Sequence, residues 1–474
     1  MTKYHFRLAS CWRAVAFASV AGAAACSPSS LVDVQAPSTR VDPSQVKSPA
    51  AAEQFYNSAA LWIARPLAGN GPVSVIGISG VLTDELEDTY DALYAIDGRK
   101  TFSANGNSES DNLYAMIHQA RVQAQEGREA LRLYYPDAPR AWHGQLYAIE
   151  GYTVLWLAEL FCSGMPLTAV PLVGQPQLTA GFTTQELFGK AVALFDSAIV
   201  AGADSARFVN LARVGKGRAL LGLGQFAAAD SAVQAVPTDF VYVVQFGANS
   251  NDLQNGLTRN GGWTYLRGQD AEGSNGLVWS TDPRTVLVTL SDMTGSMLWP
   301  AKYYAIASGH PDPTVGQPGA PVRLADGLEA RLIQAEAALT AGDDSWLTTL
   351  NMLRATCVGA AACAPVPGLT AGQLPPLGDP GSATRLDTLM KERAMWLYMT
   401  GHREGDLRRM ARVYHRAIET LWPTGYVSSP AFPYLISNPG RLNGAPYGSD
   451  VVLAPGSDEQ VNNPLYGGCY DKNP

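Results

Sequence analysis

Apolar residues recur at helical spacing in long paired segments, and this pattern restricts the chain to a mostly α-helical fold. Residues 111–134 carry an apolar stripe along one helical face, and residues 139–161 repeat it. The short YYPDAP link between them predicts an antiparallel helical hairpin. Further helices are predicted over 50–67, 207–236 and 328–355. A chain of 474 residues built in this way has ample length to bury a core.

Small residues fall where paired helices would touch. Thr183 begins a third long helix, because TTQE is a capping box. In the next segment Gly217, Ala219 and Gly222 lie where two helices would meet, which is typical of tetratricopeptide (TPR) repeats. Such repeats stack into solenoids whose concave surface commonly holds a partner protein. The predicted fold class is therefore mostly α, a TPR-like helical-hairpin solenoid.

The N-terminus has the pattern of an export signal. Lys3 and Arg7 precede an apolar stretch, so residues 1–25 are predicted to be a signal peptide. The stretch ends in Ala-Ala-Ala-Cys26, similar to a lipobox although Ala23 stands where Leu is usual. Acylation of Cys26 would anchor the protein to a membrane through lipid. Ordinary cleavage after an A-x-A site is the alternative.

Residues 26–49 are rich in Ser and Pro and are predicted to be an extended tether. No other apolar run reaches the length of about 18 residues that a spanning helix needs, so no transmembrane helix is expected.

Export makes disulfides permissible. Besides Cys11 in the signal and Cys26, four cysteines remain, which allow three pairings. They are Cys162, Cys357, Cys363 and Cys469. Cys357 and Cys363 close a small ring and are expected to pair, and the other two would then pin the C-terminal tail to the first helical half. A zinc site is the alternative, but the chain has no C-x-x-C and no His at ligand spacing.

The charge pattern excludes some functions. A net charge of −8 without a basic stripe argues against a nucleic-acid partner. Acidic residues cluster after the first helix. A calcium site or a pair of catalytic acids would need carboxylates of this kind. They are Asp84, Glu85, Glu87, Asp88 and Asp91. The spacing of a known calcium loop is missing, and a solvated or locally paired acidic face is the alternative. No metal or cofactor is predicted.

Residues 237–325 lose the helical period and become rich in Asn, Gly, Thr and aromatic residues. Loops presented on a rigid scaffold commonly carry binding sites. Flat aromatic faces stack on sugar rings, so four residues are predicted to contact a ligand: Trp263, Tyr265, Trp279 and Trp299. The alternative is that these rings pack between the loops and the helices as core residues.

Residues 386–409 form the most charged part of the C-terminal half. Leu389, Met390 and Leu397 mark the buried face of a helix that Gly401 ends. The following residues, His402 to Arg409, alternate in charge and predict a tight turn in a paired, partly buried ionic corner. A structural clamp is the first interpretation, and a binding or catalytic cluster is the alternative.

This stretch resembles the C-terminal signature of SusD/RagB-type nutrient-uptake lipoproteins. The matching residues are Glu392-Arg393, Gly401-His402-Arg403 and Asp406-Leu407-Arg408-Arg409. Three further stretches agree in order and spacing: FCSGMPLT, then KYY to EAAL, and YGSDVVLAP to NNPLYGGC. The resemblance implies an α-helical, TPR-containing SusD-like protein at the outer surface of a Gram-negative outer membrane. There it would be the ligand-binding lid of a TonB-dependent (SusC-like) transporter.

The resemblance also implies a ligand and a domain organisation. The ligand would be an oligomeric nutrient, most often a glycan, and Tyr90, Tyr94 and Arg99 become ligand candidates by position. The predicted parts are the signal peptide 1–25, the lipidated tether 26–49, an N-terminal TPR-like part 50–236, the ligand-binding segment 237–325, C-terminal TPR-like helices 326–412 and an extended wrap 413–474.

Two other functions stay open. One is a TPR-type envelope adaptor without a nutrient ligand, and the other is an exported polysaccharide hydrolase. The chain contains no G-x-S-x-G, H-E-x-x-H, phosphate-loop or dinucleotide motif, so it is not expected to be an enzyme.

Overall fold

The computed structural model describes residues 47–69, 71–88, 93–103, 107–247, 254–258, 266–268, 270, 276–292, 295–303, 317–358, 369–370, 372–427 and 445–474. The predicted signal peptide, Cys26, most of the tether and Cys363 lie outside the described residues.

Helices dominate the described chain, as the sequence predicts. They are α1 (Pro49–Trp62), α2 (Val75–Leu82), α3 (Tyr94–Asp97), α4 (Asn107–Tyr134), α5 (Arg140–Leu160), α6 (Thr184–Ala201), α7 (Ala206–Gly222), α8 (Phe226–Val233), α9 (Gly327–Thr340), α10 (Ser345–Thr356), α11 (Arg385–Trp396), α12 (Arg403–Arg412) and α13 (Ser457–Asn462). Sequence neighbours pack on each other from α4 through α8, and α9 packs on both α8 and α10. The predicted solenoid of helical hairpins is confirmed.

The local signals act as predicted at the hairpins. The Thr183 side chain accepts a hydrogen bond from Glu186 N, and the Glu186 carboxylate accepts from Thr183 N, which completes the capping box of α6. A Cβ on Gly217 would lie 2.5 Å from Val233, so only glycine lets α7 approach α8 this closely.

Residues 237–325 contain strands, whereas the sequence suggested loops. β1 (Leu86–Asp88), β5 (Leu266–Gly268), β7 (Gly295–Pro300) and β6 (Leu287–Asp292) form one four-stranded sheet in that order. β4 (Val241–Val244) pairs with β8 (Val322–Asp326), and the short β2 (Met165–Pro166) pairs with β3 (Gly181–Phe182). β6 and β7 form a local hairpin, but β1 pairs with β5 and β4 with β8 across long stretches of chain, and a local pattern could not reveal those pairings.

Two predicted boundaries are wrong. α1 ends at Trp62, and Pro66 lies in a separate π-helical turn, Arg65–Gly69, where an early proline costs little. The predicted charged turn from His402 to Arg409 is helical from Arg403 onward, as part of α12, with His402 as the N-cap residue. Its acids lie in the first turn and Arg409 and Arg412 in the last, which suits the helix dipole.

One disulfide holds the C-terminal segment. Cys162, directly after α5, is bonded to Cys469. Backbone hydrogen bonds extend the contact, from Leu453 N to Leu160 O (2.8 Å) and from Tyr470 N to Ser163 O (2.7 Å). Cys357 is also disulfide-bonded. Because these three cysteines are in disulfides and the described residues contain no metal-binding group of His, Cys, Asp and Glu, they do not form a zinc site.

Candidate functional site

The four-stranded sheet is where the predicted aromatic segments attach to the scaffold. β1 and β5 run antiparallel, with Asp88 opposite Leu266. Tyr90 follows Asp88 by two residues in the sequence, and Tyr265 directly precedes Leu266. The two segments that carry these tyrosines therefore join the sheet at paired positions, although 86–88 and 266–268 belong to opposite halves of the chain.

β7 brings a third predicted residue to the same sheet. Gly268 of β5 pairs with Leu298, and the next residue, Trp299, lies opposite Val288 of β6. Tyr90, Trp263 and Tyr265 lie outside the described residues, and Trp299 is described by its backbone alone. Tyr94 is the first residue of α3, just beyond β1, and is half-buried. These five residues remain ligand-binding predictions.

Arg99 is not a ligand-facing residue. Its side chain is buried, and it donates to the Pro423 carbonyl (2.7 Å), the Asp450 carbonyl (3.2 Å) and the Glu419 carboxylate (3.5 Å). Burial lowers its pKa, and Glu419 opposes that shift. Arg99 joins α3 to the C-terminal segment, so its predicted role in ligand contact is wrong.

Trp279 is also a core residue. Only 1% of it is exposed, and its ring lies 5.3 Å from the ring of Tyr398 and 5.6 Å from the Arg403 guanidinium. Its backbone N–H donates to Asp270 (2.7 Å). The alternative interpretation, a ring that plugs a loop onto the helices, is correct for this tryptophan.

Three members of the acidic cluster, Asp84, Glu85 and Glu87, are buried rather than solvated. Asp84 accepts two hydrogen bonds from Arg403 at 2.6 and 2.9 Å, and Glu87 lies 3.7 Å from Arg267 of β5. Glu85 accepts from the backbone N–H of Met399 (2.7 Å). A solvated or locally paired face is the wrong interpretation for these three residues, because their carboxylates contact partners from distant segments. The described residues contain no cluster of metal-binding side chains.

Glu85, just before β1, and Lys302, just after β7, are buried titratable groups that interact electrostatically. Burial raises the pKa of Glu85 to about 7, against the opposing effects of Met399 N–H, Arg403 and Lys302. Burial lowers the pKa of Lys302 to about 8, and the charge of Glu85 opposes that shift. Lys302 donates to the Tyr398 carbonyl, and the Tyr303 hydroxyl donates to the Met399 carbonyl (2.7 Å).

The ionic corner of α11 and α12 is a structural hub. Arg393 bonds Asp406 at 3.0 and 3.1 Å, and the pKa of Asp406 is held low by Arg393 and Arg409 against the effect of burial. Arg218 of α7 bonds Glu159 of α5 at 2.6 and 2.7 Å and reaches His402. All these side chains are at least nine-tenths buried, so the corner clamps the helices together and offers no surface to a ligand.

Four partners in this hub were not predicted from the sequence. They are Glu159, Arg218, Glu329 and Glu336. The signal was available, because each is a charge within an apolar helical stretch, and such a charge needs a buried partner.

Comparison with solved structures shows what the fold is. A SusD superfamily protein from Bacteroides thetaiotaomicron matches 90% of this chain and 100% of its own, with a TM-score of 0.62 and 14% identity. A SusD superfamily protein from Bacteroides vulgatus matches with a TM-score of 0.60 at 14% identity, over 90% of this chain and 99% of its own. The chain has the SusD fold.

A third structure with this fold is described as a laminarin-binding SusD-like protein. It covers 90% of this chain and 99% of its own, with a TM-score of 0.60 and 14% identity. No protein-family model matches the sequence. No curated protein matches it either. The SusD fold predicted from the four sequence stretches is confirmed by structure rather than by sequence identity.

Proposed function

We propose that this chain binds an oligomeric nutrient, a glycan in the first place, and delivers it to a TonB-dependent transporter in the outer membrane. The observation that carries the proposal is the four-stranded sheet on a SusD-type scaffold. At this sheet the segments of Tyr90, Tyr265 and Trp299 meet, although they are far apart in sequence. The laminarin-binding protein of the same fold supports a glycan as the ligand class.

Binding would rest on stacking and hydrogen bonds, without covalent chemistry. Aromatic rings provide large apolar contact area, and neighbouring polar groups would hold the sugar hydroxyls. A glycoside hydrolase needs two carboxyl groups about 5–10 Å apart and open to substrate. The acids proposed for that role, Asp84, Glu85 and Glu87, are instead buried against partners. The burial of these acids favours a binding protein over an enzyme.

The anchoring part of the proposal rests on the N-terminal sequence. Acylation at Cys26 would hold the protein on the membrane, with residues 27–49 as the tether. Among the described residues, no helix combines the length and apolarity that crossing a bilayer requires. Surface exposure and the transporter partner are supported by the resemblance to SusD-type lipoproteins.

Glycan binding is tested with a panel of soluble polysaccharides that includes laminarin, by affinity electrophoresis and then calorimetry. Trp263→Ala, Tyr265→Ala and Trp299→Ala should each weaken binding of the retained glycan by about tenfold, or 1.4 kcal/mol. Tyr470→Ala is the matched control, because Tyr470 is half-exposed on the C-terminal segment and should not matter. Equal losses of affinity in all four variants would refute the proposal that Trp263, Tyr265 and Trp299 contact the glycan.

The transporter partner is tested by a mild-detergent pull-down of the tagged full-length protein from its native membrane. A large TonB-dependent barrel in near-equal amount would support delivery. Recovery of other envelope proteins, together with no binding on the glycan panel, would instead favour the TPR adaptor.

A further inference from the structure

The turn between α11 and α12, Tyr398–Gly401, is held by hydrogen bonds from two sides. Residues at the ends of the sheet hold its first half. Glu85 directly precedes β1, and Lys302 and Tyr303 follow β7 by two and three residues. Their side chains bond the Met399 N–H, the Tyr398 carbonyl and the Met399 carbonyl in turn.

The helical scaffold holds the second half of the same turn. Arg218 of α7 donates to the Gly401 carbonyl (3.0 Å), and His402 Nε2 lies 2.9 Å from Glu329 of α9. Thr400 Oγ1 lies 2.8 Å from His402 Nδ1. The turn therefore links the sheet to the TPR-like helices, alongside the contacts of Asp84 with Arg403 and of Arg284 with Glu392.

The backbone of the turn shows the constraint that this link imposes. Met399 has a φ of +52°, a left-handed conformation that is unfavourable for a residue with a Cβ. Its N–H and its carbonyl are both occupied by Glu85 and Tyr303. Such a conformation persists where surrounding contacts determine it.

We propose that Glu85, Lys302 and Tyr303 are positioning residues for ligand binding, which set the sheet and its aromatic segments against the helical scaffold through the Tyr398–Gly401 turn. That these residues serve ligand binding rests on the proposed function. That they hold β1 and β7 in place does not depend on any glycan and can be tested separately.

Protonation of Glu85 provides a readout that a purely structural contact would not give. The titratable or charged groups that face Glu85 are Lys302 and Tyr303 after β7, Tyr398 in the turn, Arg403 on α12 and its own neighbour Asp84. Burial favours the neutral carboxyl, whose pKa is raised above that of a solvated acid. Ionisation therefore favours an opened conformation of the sheet in which Glu85 is exposed to water. The contacts that hold the sheet to the turn weaken as pH rises towards and through 7.

The test is amide hydrogen exchange of the full-length protein, read on peptides that contain residues 86–88 and 295–300. Tyr303→Phe removes one hydroxyl that donates to a backbone carbonyl. Tyr152→Phe is the matched control, because the buried Tyr152 hydroxyl donates to the Leu211 carbonyl (3.1 Å) within the helices. Tyr303→Phe should speed exchange in these peptides by about tenfold, and Tyr152→Phe should leave it unchanged once global stability is taken into account.

The pH profile gives the second arm. After correction for intrinsic exchange, wild-type protection of these peptides should fall by about tenfold between about pH 5 and 7.5, and Glu85→Gln should abolish that fall. Equal exchange in the two tyrosine variants, or an unchanged pH profile in Glu85→Gln, overturns the proposal. If Glu85→Gln does not fold, the tyrosine pair alone decides. A negative glycan panel would overturn only the proposed function.

Discussion

Arg409 and Glu336 form a two-point ion pair buried between α12 and α9, with nitrogen–oxygen distances of 2.7 and 2.9 Å. At most 4% of either side chain is exposed. Glu336 also accepts from the Tyr414 hydroxyl (3.0 Å), and Arg409 also bonds Asp406 (2.9 Å). The C-terminal signature thus fixes α12 against α9.

Breaking this pair from one side should be severe. Arg409→Ala leaves the Glu336 charge buried without its main partner, so it should lower the free energy of unfolding by about 3–5 kcal/mol. Arg416→Ala is the control, because its pair with Asp387 is largely exposed and should be worth about 0–1 kcal/mol. Urea denaturation of the two variants measures both values. Similarly small losses of unfolding free energy in both variants would contradict the structural role of the Arg409–Glu336 pair.

Glu404 should make stability depend on pH. Burial raises its pKa to about 8, although Arg408, the Trp422 N–H, Arg99 and Arg403 oppose the shift. The folded state therefore holds a proton that the unfolded state releases, and this contribution to stability is lost as pH rises from about 4.5 to about 8. Glu404→Gln can still accept from Trp422 and should flatten that decline.

The check is urea denaturation at several pH values. The stability of Glu404→Gln relative to wild type should rise with pH across this window. Glu53→Gln, at an exposed position of α1, serves as the control and should follow wild type. A constant difference between Glu404→Gln and wild type would show that Glu404 does not titrate here.

Gly401 should tolerate no side chain. Its φ is +76°, and a Cβ would lie 2.9 Å from Val75 of α2. Gly342→Ala separates the two effects, because Gly342 has a φ of +74° with no atom near the added Cβ. Gly342→Ala should cost about 1–2 kcal/mol from backbone strain alone. Gly401→Ala should cost about 1–3 kcal/mol more from the clash, as measured by thermal or urea unfolding.

The disulfide of Cys162 and Cys469 should stabilise the protein by reducing the conformational entropy of the unfolded chain. The cysteines are 307 residues apart, and replacing both with alanine should cost about 2–4 kcal/mol in urea denaturation. Limited proteolysis should then release fragments from residues 457–474 sooner than from α4 or α5. An unchanged cleavage order would mean that the backbone contacts of Leu453 and Tyr470 suffice to hold the segment.

The helical hairpins and their capping were predictable because their signals are local. The apolar stripes of α4 and α5 and the Thr183 capping box each depend on residues within a few turns of one another. The same holds for the role of Gly217, where small size alone permits close packing. The motifs around Gly401 and Asp406 also led to the correct fold.

The roles of single residues depended on tertiary structure. Arg99 and Trp279 have the chemistry of a ligand-binding surface, yet distant partners at Pro423 and Tyr398 bury them. The acids at 84–87 have the composition of an exposed face, yet they lie against Arg403, Met399 and Arg267. The sequence alone determined the periodicity, the caps and the close helix contacts, since these arise between neighbours in the chain. Which charges and rings are buried was decided only by the fold, because their partners are as far as 351 residues away.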